Sequence, residues 1–312
     1  MIQTVKGALK TNFTENILIH EHICCVSNDM LHAFGDRWLK KEDLINHSAK
    51  ILRDMKEKYG LGLLVDGTPL DLGRNAEMLL EISMRSGVEI LASCGLYIYP
   101  SMITMSNTEE ELAELFLEEA THGLDNTSIK PGILKCATDN YGITEENERR
   151  IGALGRVQAK SGLPIYVHTL HQENTAIKAL NILTERGADR NKIIMGHLDD
   201  ECSYEYITNL LKEGCYVSFG RRHYTEKYTQ IVAKMLVQLC EKGYSDRLLI
   251  SNDTCIYSDF CSKGNKWLKP SEAKNTLGYV FEDLQKEFYK YGGDESLYKR
   301  ILTQNALKIL DV

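Results

Sequence analysis

Eight short apolar runs with helical patterns between them constrain this chain more than any other feature of it. They lie at Ile17–His22, Leu61–Thr68, Glu89–Leu96, Gly132–Thr138, Pro164–Thr169, Lys192–Leu198, Cys215–Phe219 and Leu248–Asp253. Most are continuous rather than alternating, which suits parallel strands covered on both faces. Thr108–Thr121, Thr144–Ser161 and Tyr204–Glu213 read as helices, and Gly123, Gly162 and Gly214 stand where helices stop. This alternation predicts an α/β fold, a TIM (β/α)8 barrel, with extra C-terminal helices from Ser271 onward closing it. An open doubly wound sheet is the alternative, weakened because no G-x-G-x-x-G follows the first run. A length of 312 residues fits a single barrel domain over 1–312.

Composition removes several classes of function. A net charge of −7 without a basic stripe argues against a nucleic-acid surface. No apolar stretch approaches membrane-spanning length, and Met1–Gly7 lacks the apolar region of a signal peptide. Nine cysteines, an odd number without framework spacing, fit free thiols in a reducing cytoplasm. The expected partner is therefore a small-molecule substrate rather than nucleic acid or membrane.

Polar residues collect where the runs end, which in a barrel is where chemistry sits. The first run closes on His20-Glu21-His22, and a strand would project both imidazoles from one face and Glu21 from the other. Lys135 lies in the fourth run, His168 ends the fifth, His197 the sixth and Asp253 the eighth. Each has a plain structural alternative. His168 would serve as a core histidine, His197 as a cap on the next helix, Asp253 as an N-cap, and Lys135 as a snorkelling cation. Four histidines and an aspartate at one rim are better explained together, as ligands of zinc or a similar metal. Lys135 is the odd member, because a cation beside a metal is repelled while burial favours the neutral amine. A neutral amine can add carbon dioxide to form an anionic carbamate. Five protein ligands plus a carbamate exceed one tetrahedral ion, so two metals are expected.

This set, with Ile19-His20-Glu21-His22, Ile133-Leu134-Lys135-Cys136-Ala137-Thr138, Gly196-His197-Leu198-Asp199-Asp200 and Ile250-Ser251-Asn252-Asp253, resembles the phosphotriesterase-like branch of the amidohydrolase superfamily. The resemblance implies that His20, His22 and Asp253 hold a buried metal and His168 and His197 a more exposed one. Carboxylated Lys135 and a hydroxide would bridge the two. It implies a hydrolase with Asp253 as catalytic proton acceptor and two divalent ions, Zn2+ first, with Mn2+ or Co2+ as alternatives. Tyr97 would line the substrate pocket, with rim packing its plain alternative, and Arg221 would match the arginine of lactonase-like members. Relatives of this kind are often homodimers, although no residue pattern here marks an interface.

The chain departs from the family where Gly220 replaces an acid after the seventh run, which puts in doubt a relay from Asp253 to Asp200. Arg221, Arg222, His223, Lys263 and Lys266 offer charge for a substrate phosphate or carboxylate, or form a solvated charge run. A lactonase acting on a sugar lactone, phosphorylated or not, is the expected activity. A phosphotriesterase is the alternative, followed by an amide hydrolase or deaminase, and by a metal-binding protein without turnover. Cys24, Cys25, Cys94, Cys136 and Cys255 lie near the rim, but oxygen and nitrogen donors already fill the expected site.

Overall fold

The computed structural model describes residues 1–9, 13–138, 142–169, 174–199, 203–220, 225–260, 266–273 and 276–311. Eight strands appear where the apolar runs predict them: β1 Asn16–Cys25, β2 Leu61–Asp66, β3 Glu89–Gly95, β4 Ile133–Ala137, β5 Ile165–His168, β6 Ile193–Gly196, β7 Tyr216–Phe219 and β8 Leu248–Ile250. Two further strands follow, β9 Cys255–Ser258 and β10 Lys266–Trp267. Their order in the sheet is β8-β7-β6-β5-β4-β3-β2-β1-β9-β10, parallel throughout except for the β9–β10 pair. Because β1 to β8 are neighbours in sequence order, with no reversal, the doubly wound alternative is excluded.

The sheet curls into a TIM-barrel-like α/β fold. Its seam is closed by the segment that continues β8: Asp253 N–H donates to His20 O at 3.2 Å and His22 N–H to Thr254 O at 2.9 Å. Cys255 then pairs with His22 as β9 begins. The expected eighth strand thus ends three residues early, at Ile250, and the chain re-enters the sheet beyond Asp253.

Two apolar layers hold the barrel. Ile17, Ile19, Leu63, Val65, Leu91, Ile133, Ile194 and Leu249 fill its interior, together with Tyr166 and Tyr216. Ile2 and the C-terminal helix residues Ala306, Ile309 and Leu310 join this cluster and plug one end, as the terminal-helix expectation required. Alternate strand residues such as Leu18, Leu64, Leu134 and Val167 pack outward against the helices. Helix α1 (Glu109–His122) starts at a Thr108/Glu111 capping box, and α2 (Glu145–Ser161) starts at Thr144 and ends at Gly162 with φ +73°. Among the described residues no helix is long and apolar enough to cross a membrane.

Candidate metal centre

Strict alternation along β1 would turn His20 outward with Leu18. The register prevents this. Leu18 pairs with Leu64 and Glu21 with Asp66, so three steps on β1 match two on β2. One extra residue forms a bulge, which re-aims a side chain. The His20 ring consequently faces inward, stacked on Tyr166 with centroids 4.0 Å apart. His22 follows on the same side, 5.0 Å from His20 between ring centres. Gly67 makes room for them, since a Cβ there would lie 2.4 Å from the His20 ring.

His20, His22 and Asp253 each present a ligand atom, all within 4.8 Å of one another. Asp253 Oδ1 lies 3.5 Å from His20 Nε2 and 3.3 Å from His22 Nε2. His20 is buried, and neither of its ring nitrogens has a hydrogen-bond partner among the described residues. Two nitrogens without a hydrogen bond in a buried ring are costly unless something binds them, and a carboxylate with a second imidazole makes that something a cation. The donor set therefore fits a divalent metal.

The other expected members border this trio. The His197 ring lies 5.2 Å from His20 and 4.5 Å from His168. Tyr97 packs edge-on against His168 at 5.2 Å, its hydroxyl 3.4 Å from His168 Nε2. Lys135 Nζ sits 5.4 Å from the Tyr97 ring centre and 5.7 Å from that of Tyr166, donating to Cys136 O at 3.2 Å. Arg221 lies outside the described residues, as do Asp200, Arg222, His223, Lys263 and the side chain of Lys266.

Three plain structural alternatives fail on geometry. Ser203, not His197, caps the helix Tyr204–Lys212. Asp253 precedes a strand, so it caps no helix. Lys135 is only 1% exposed, so its amine does not snorkel to water. Instead, His197 and Asp253 both hold left-handed backbone, with φ of +64° and +54°. Non-glycine residues in that region cost energy and tend to gather at functional sites.

Electrostatics follow from burial and neighbours. Burial pushes the Lys135 amine down to about 8, which makes its neutral form accessible near neutral pH. Burial also drives His20 well below the usual imidazole range. Burial works to raise the Asp253 carboxyl, but His197, His20 and His22 together hold it well below the usual carboxylate range. For His22 burial works downward, and Asp253 and other acidic neighbours carry the net shift upward.

Supporting residues fix the imidazoles, and for Thr68, Asp66 and Tyr228 among them the sequence suggested no role. Thr68 Oγ1 meets His22 Nδ1 at 2.9 Å, and Asp66 Oδ1 accepts Thr68 N–H at 2.9 Å. His197 Nδ1 lies 2.8 Å from Gly220 O; a carbonyl only accepts, so Nδ1 carries the proton and Nε2 the lone pair. Asp199 accepts Gly220 N–H at 2.7 Å and also binds Tyr228 Oη. Glu21 points away from the histidines as expected, yet it accepts four hydrogen bonds from Ser251, Asn252 and Thr254. A signal for Asp66 was present: a carboxylate closing an otherwise apolar run.

Gly220 has a physical reason of its own. Its φ is +144°, and a Cβ would lie 2.4 Å from Ser251 O, so an acid does not fit this backbone. The rim thiols remain outside the donor set. Cys25 Sγ approaches Cys255 Sγ at 3.7 Å, and contact with Cys255 together with burial keeps the Cys25 thiol protonated.

The sequence profile of the Phosphotriesterase family matches residues 1–306. The chain is 27% identical over 295 residues to the aryldialkylphosphatase of Saccharolobus solfataricus, covering 93% of each protein. It is 28% identical over 291 residues to the N-acetyltaurine hydrolase of Xenopus tropicalis, covering 81% of this chain and 83% of that protein. A phosphotriesterase homology protein of Mycobacterium tuberculosis is 26% identical over 272 residues, covering 83% of this chain and 82% of its own.

Proposed function

This chain belongs to the phosphotriesterase family, whose members are binuclear metal-dependent hydrolases, and we propose that it opens a lactone or a related carboxylic ester. The substrate envisaged is a sugar lactone, with or without a phosphate. In this reading His20, His22 and Asp253 would hold one ion, His168 and His197 would hold the second, and Lys135, as its carbamate, would serve as a ligand to the pair. Zn2+ is the metal proposed, with Mn2+ or Co2+ able to substitute. When bound, the metal pair supplies Lewis acidity, which lowers the pKa of water and polarises the scissile carbonyl.

The chain's own residues do the rest. Asp253 accepts the proton of the attacking water and returns it to the leaving oxygen. Tyr97 orients the substrate oxygen from its position beside His168, and the stacked Tyr166 keeps water away from the inner face of His20. Arg221 receives a carboxylate or phosphate on the substrate. The observation that carries the metal-dependent part of the reading is the buried His20 ring, both nitrogens without a hydrogen-bond partner among the described residues, facing a carboxylate and a second imidazole. A reducing cytoplasmic setting belongs to the same proposal, supported by seven free cysteines among the described residues.

Two other bonds deserve places in the assay because of the relatives' names: a phosphotriester, as for the aryldialkylphosphatase, and an N-acyl amide, as for the N-acetyltaurine hydrolase. The test measures metal per chain, then turnover on lactones with and without phosphate, an aryl phosphotriester and an N-acyl amide. We expect two ions and fastest turnover on a lactone. An amide or phosphotriester turned over faster would replace the substrate, and stoichiometric metal without hydrolysis would leave a non-catalytic protein. Lys135→Ala should lose metal and activity, with partial rescue by a short carboxylic acid. Full activity in that variant would remove the bridging carbamate.

A further inference from the structure

We infer that Arg150 and Asp71 are positioning residues that clamp the backbone of Tyr97 and thereby set the angle of its ring against His168. This rests on the reading above that Tyr97 faces the substrate. Arg150, on α2, is 3% exposed and donates to three consecutive carbonyls: Tyr97 O at 2.8 Å, Ile98 O at 3.0 Å and Tyr99 O at 3.2 Å. Asp71, from the segment after β2, accepts the Tyr97 N–H with its two oxygens at 2.8 and 3.0 Å. The Tyr97 residue is thus gripped at its N–H by an acid and at its carbonyl by a guanidinium.

The two grips come from opposite sides of the loop. Asp71 follows strand β2 and Arg150 follows strand β4, while Tyr97 follows β3, so three βα units meet at one residue. Loop backbone ordinarily satisfies its carbonyls with water or turns. A buried guanidinium committed to three of them in a row leaves that stretch little freedom, because its planar fork presents fixed donors. The ring is what this rigidity places. Its hydroxyl lies 3.4 Å from His168 Nε2, and its face lies 5.4 Å from Lys135 Nζ. A rotation of the Tyr97 backbone would move that hydroxyl off the His168 imidazole while leaving the proposed ligand residues themselves unsubstituted.

The experiment compares Arg150→Met and Arg150→Lys in wild-type and Tyr97→Ala backgrounds, on whichever ester or amide the metal-loaded enzyme hydrolyses. Arg150→Met should cut kcat/KM by about 10- to 100-fold, chiefly through KM, as expected for a misplaced orienting group, with metal content unchanged. Arg150→Lys, with one point charge for three carbonyls, should fall between, and it stands in for Arg150→Met if that variant does not fold. In the Tyr97→Ala background the same substitution should cost almost nothing further, because the residue through which Arg150 acts is gone. Backbone amide exchange gives a readout independent of turnover: segment 96–100 should exchange faster in the Arg150 variants while β4 and β5 stay protected. Additive losses in the two backgrounds, or unchanged exchange over 96–100, would overturn the clamp. If wild-type protein hydrolyses nothing in the panel, the catalytic reading fails, and the exchange measurement still decides the clamp.

Discussion

Glu21 Oε1 accepts both amides of Asn252, the backbone N–H at 2.8 Å and the side-chain amide at 3.0 Å. The same oxygen accepts Ser251 Oγ–H at 2.7 Å, and Oε2 accepts Thr254 N–H at 2.8 Å. One carboxyl group on β1 therefore fastens the turn that carries Asp253, from the side of the strand opposite His20 and His22. Burial pushes this carboxyl up to about 8, while four donors pull against it. Its task is to hold Asp253, at φ +54°, beside two histidines from the other end of the chain.

Glu21→Gln should therefore weaken the site without touching a ligand. An amide NH2 replaces one acceptor and faces donors, leaving at least one buried N–H unpaired at a cost of roughly 1–3 kcal/mol. We expect a lower urea midpoint together with weaker metal retention on dialysis. Wild-type midpoint and retention in this variant would show that the network contributes nothing.

Lys135 makes the metal-free protein more stable as the pH becomes alkaline. Its amine is lowered by burial from 10.5 to about 8 in the folded chain, so between these values the unfolded state binds more protons. Folding stability then rises with pH across that window, by up to about 3 kcal/mol for the full shift. Below pH 8 the ammonium is buried at its full cost. Lys135→Met should consequently be the more stable protein at pH 7, with the gap narrowing by pH 9.5. Denaturant titrations of metal-free, bicarbonate-free samples check this, and a gap independent of pH would contradict it.

Gly220 should resist substitution. Alanine there meets Ser251 O at 2.4 Å with φ at +144°, a strain of about 1–3 kcal/mol. Gly220→Ala should lower the melting temperature and loosen His197, whose Nδ1 proton is held by Gly220 O. Gly220→Asp should do the same and create no proton relay. A stable, fully active Gly220→Asp enzyme would refute the steric account.

Much of the barrel was legible because apolar runs of strand length report burial directly. The eight strands agree with the runs to within three residues at each end, and the end of β8 is instructive. Leu248–Asp253 reads as one strand, but Asp253 adopts left-handed backbone, and no local pattern announces that turn. His20 shows the same limit from the other direction. Its partnership with His22 follows from strand alternation, whereas its inward aim depends on an extra residue in the β1–β2 register.

The order of apolar runs, and the types of polar residue closing them, were settled by the chain alone, because hydrophobic burial is a property each segment carries with it. Which nitrogen of His197 bears the proton, why residue 220 must be glycine, and how Arg150 and Asp71 come to share Tyr97 were decided only in three dimensions. Those features depend on atoms brought together from distant segments to within hydrogen-bond range, and sequence spacing carries no record of such distances.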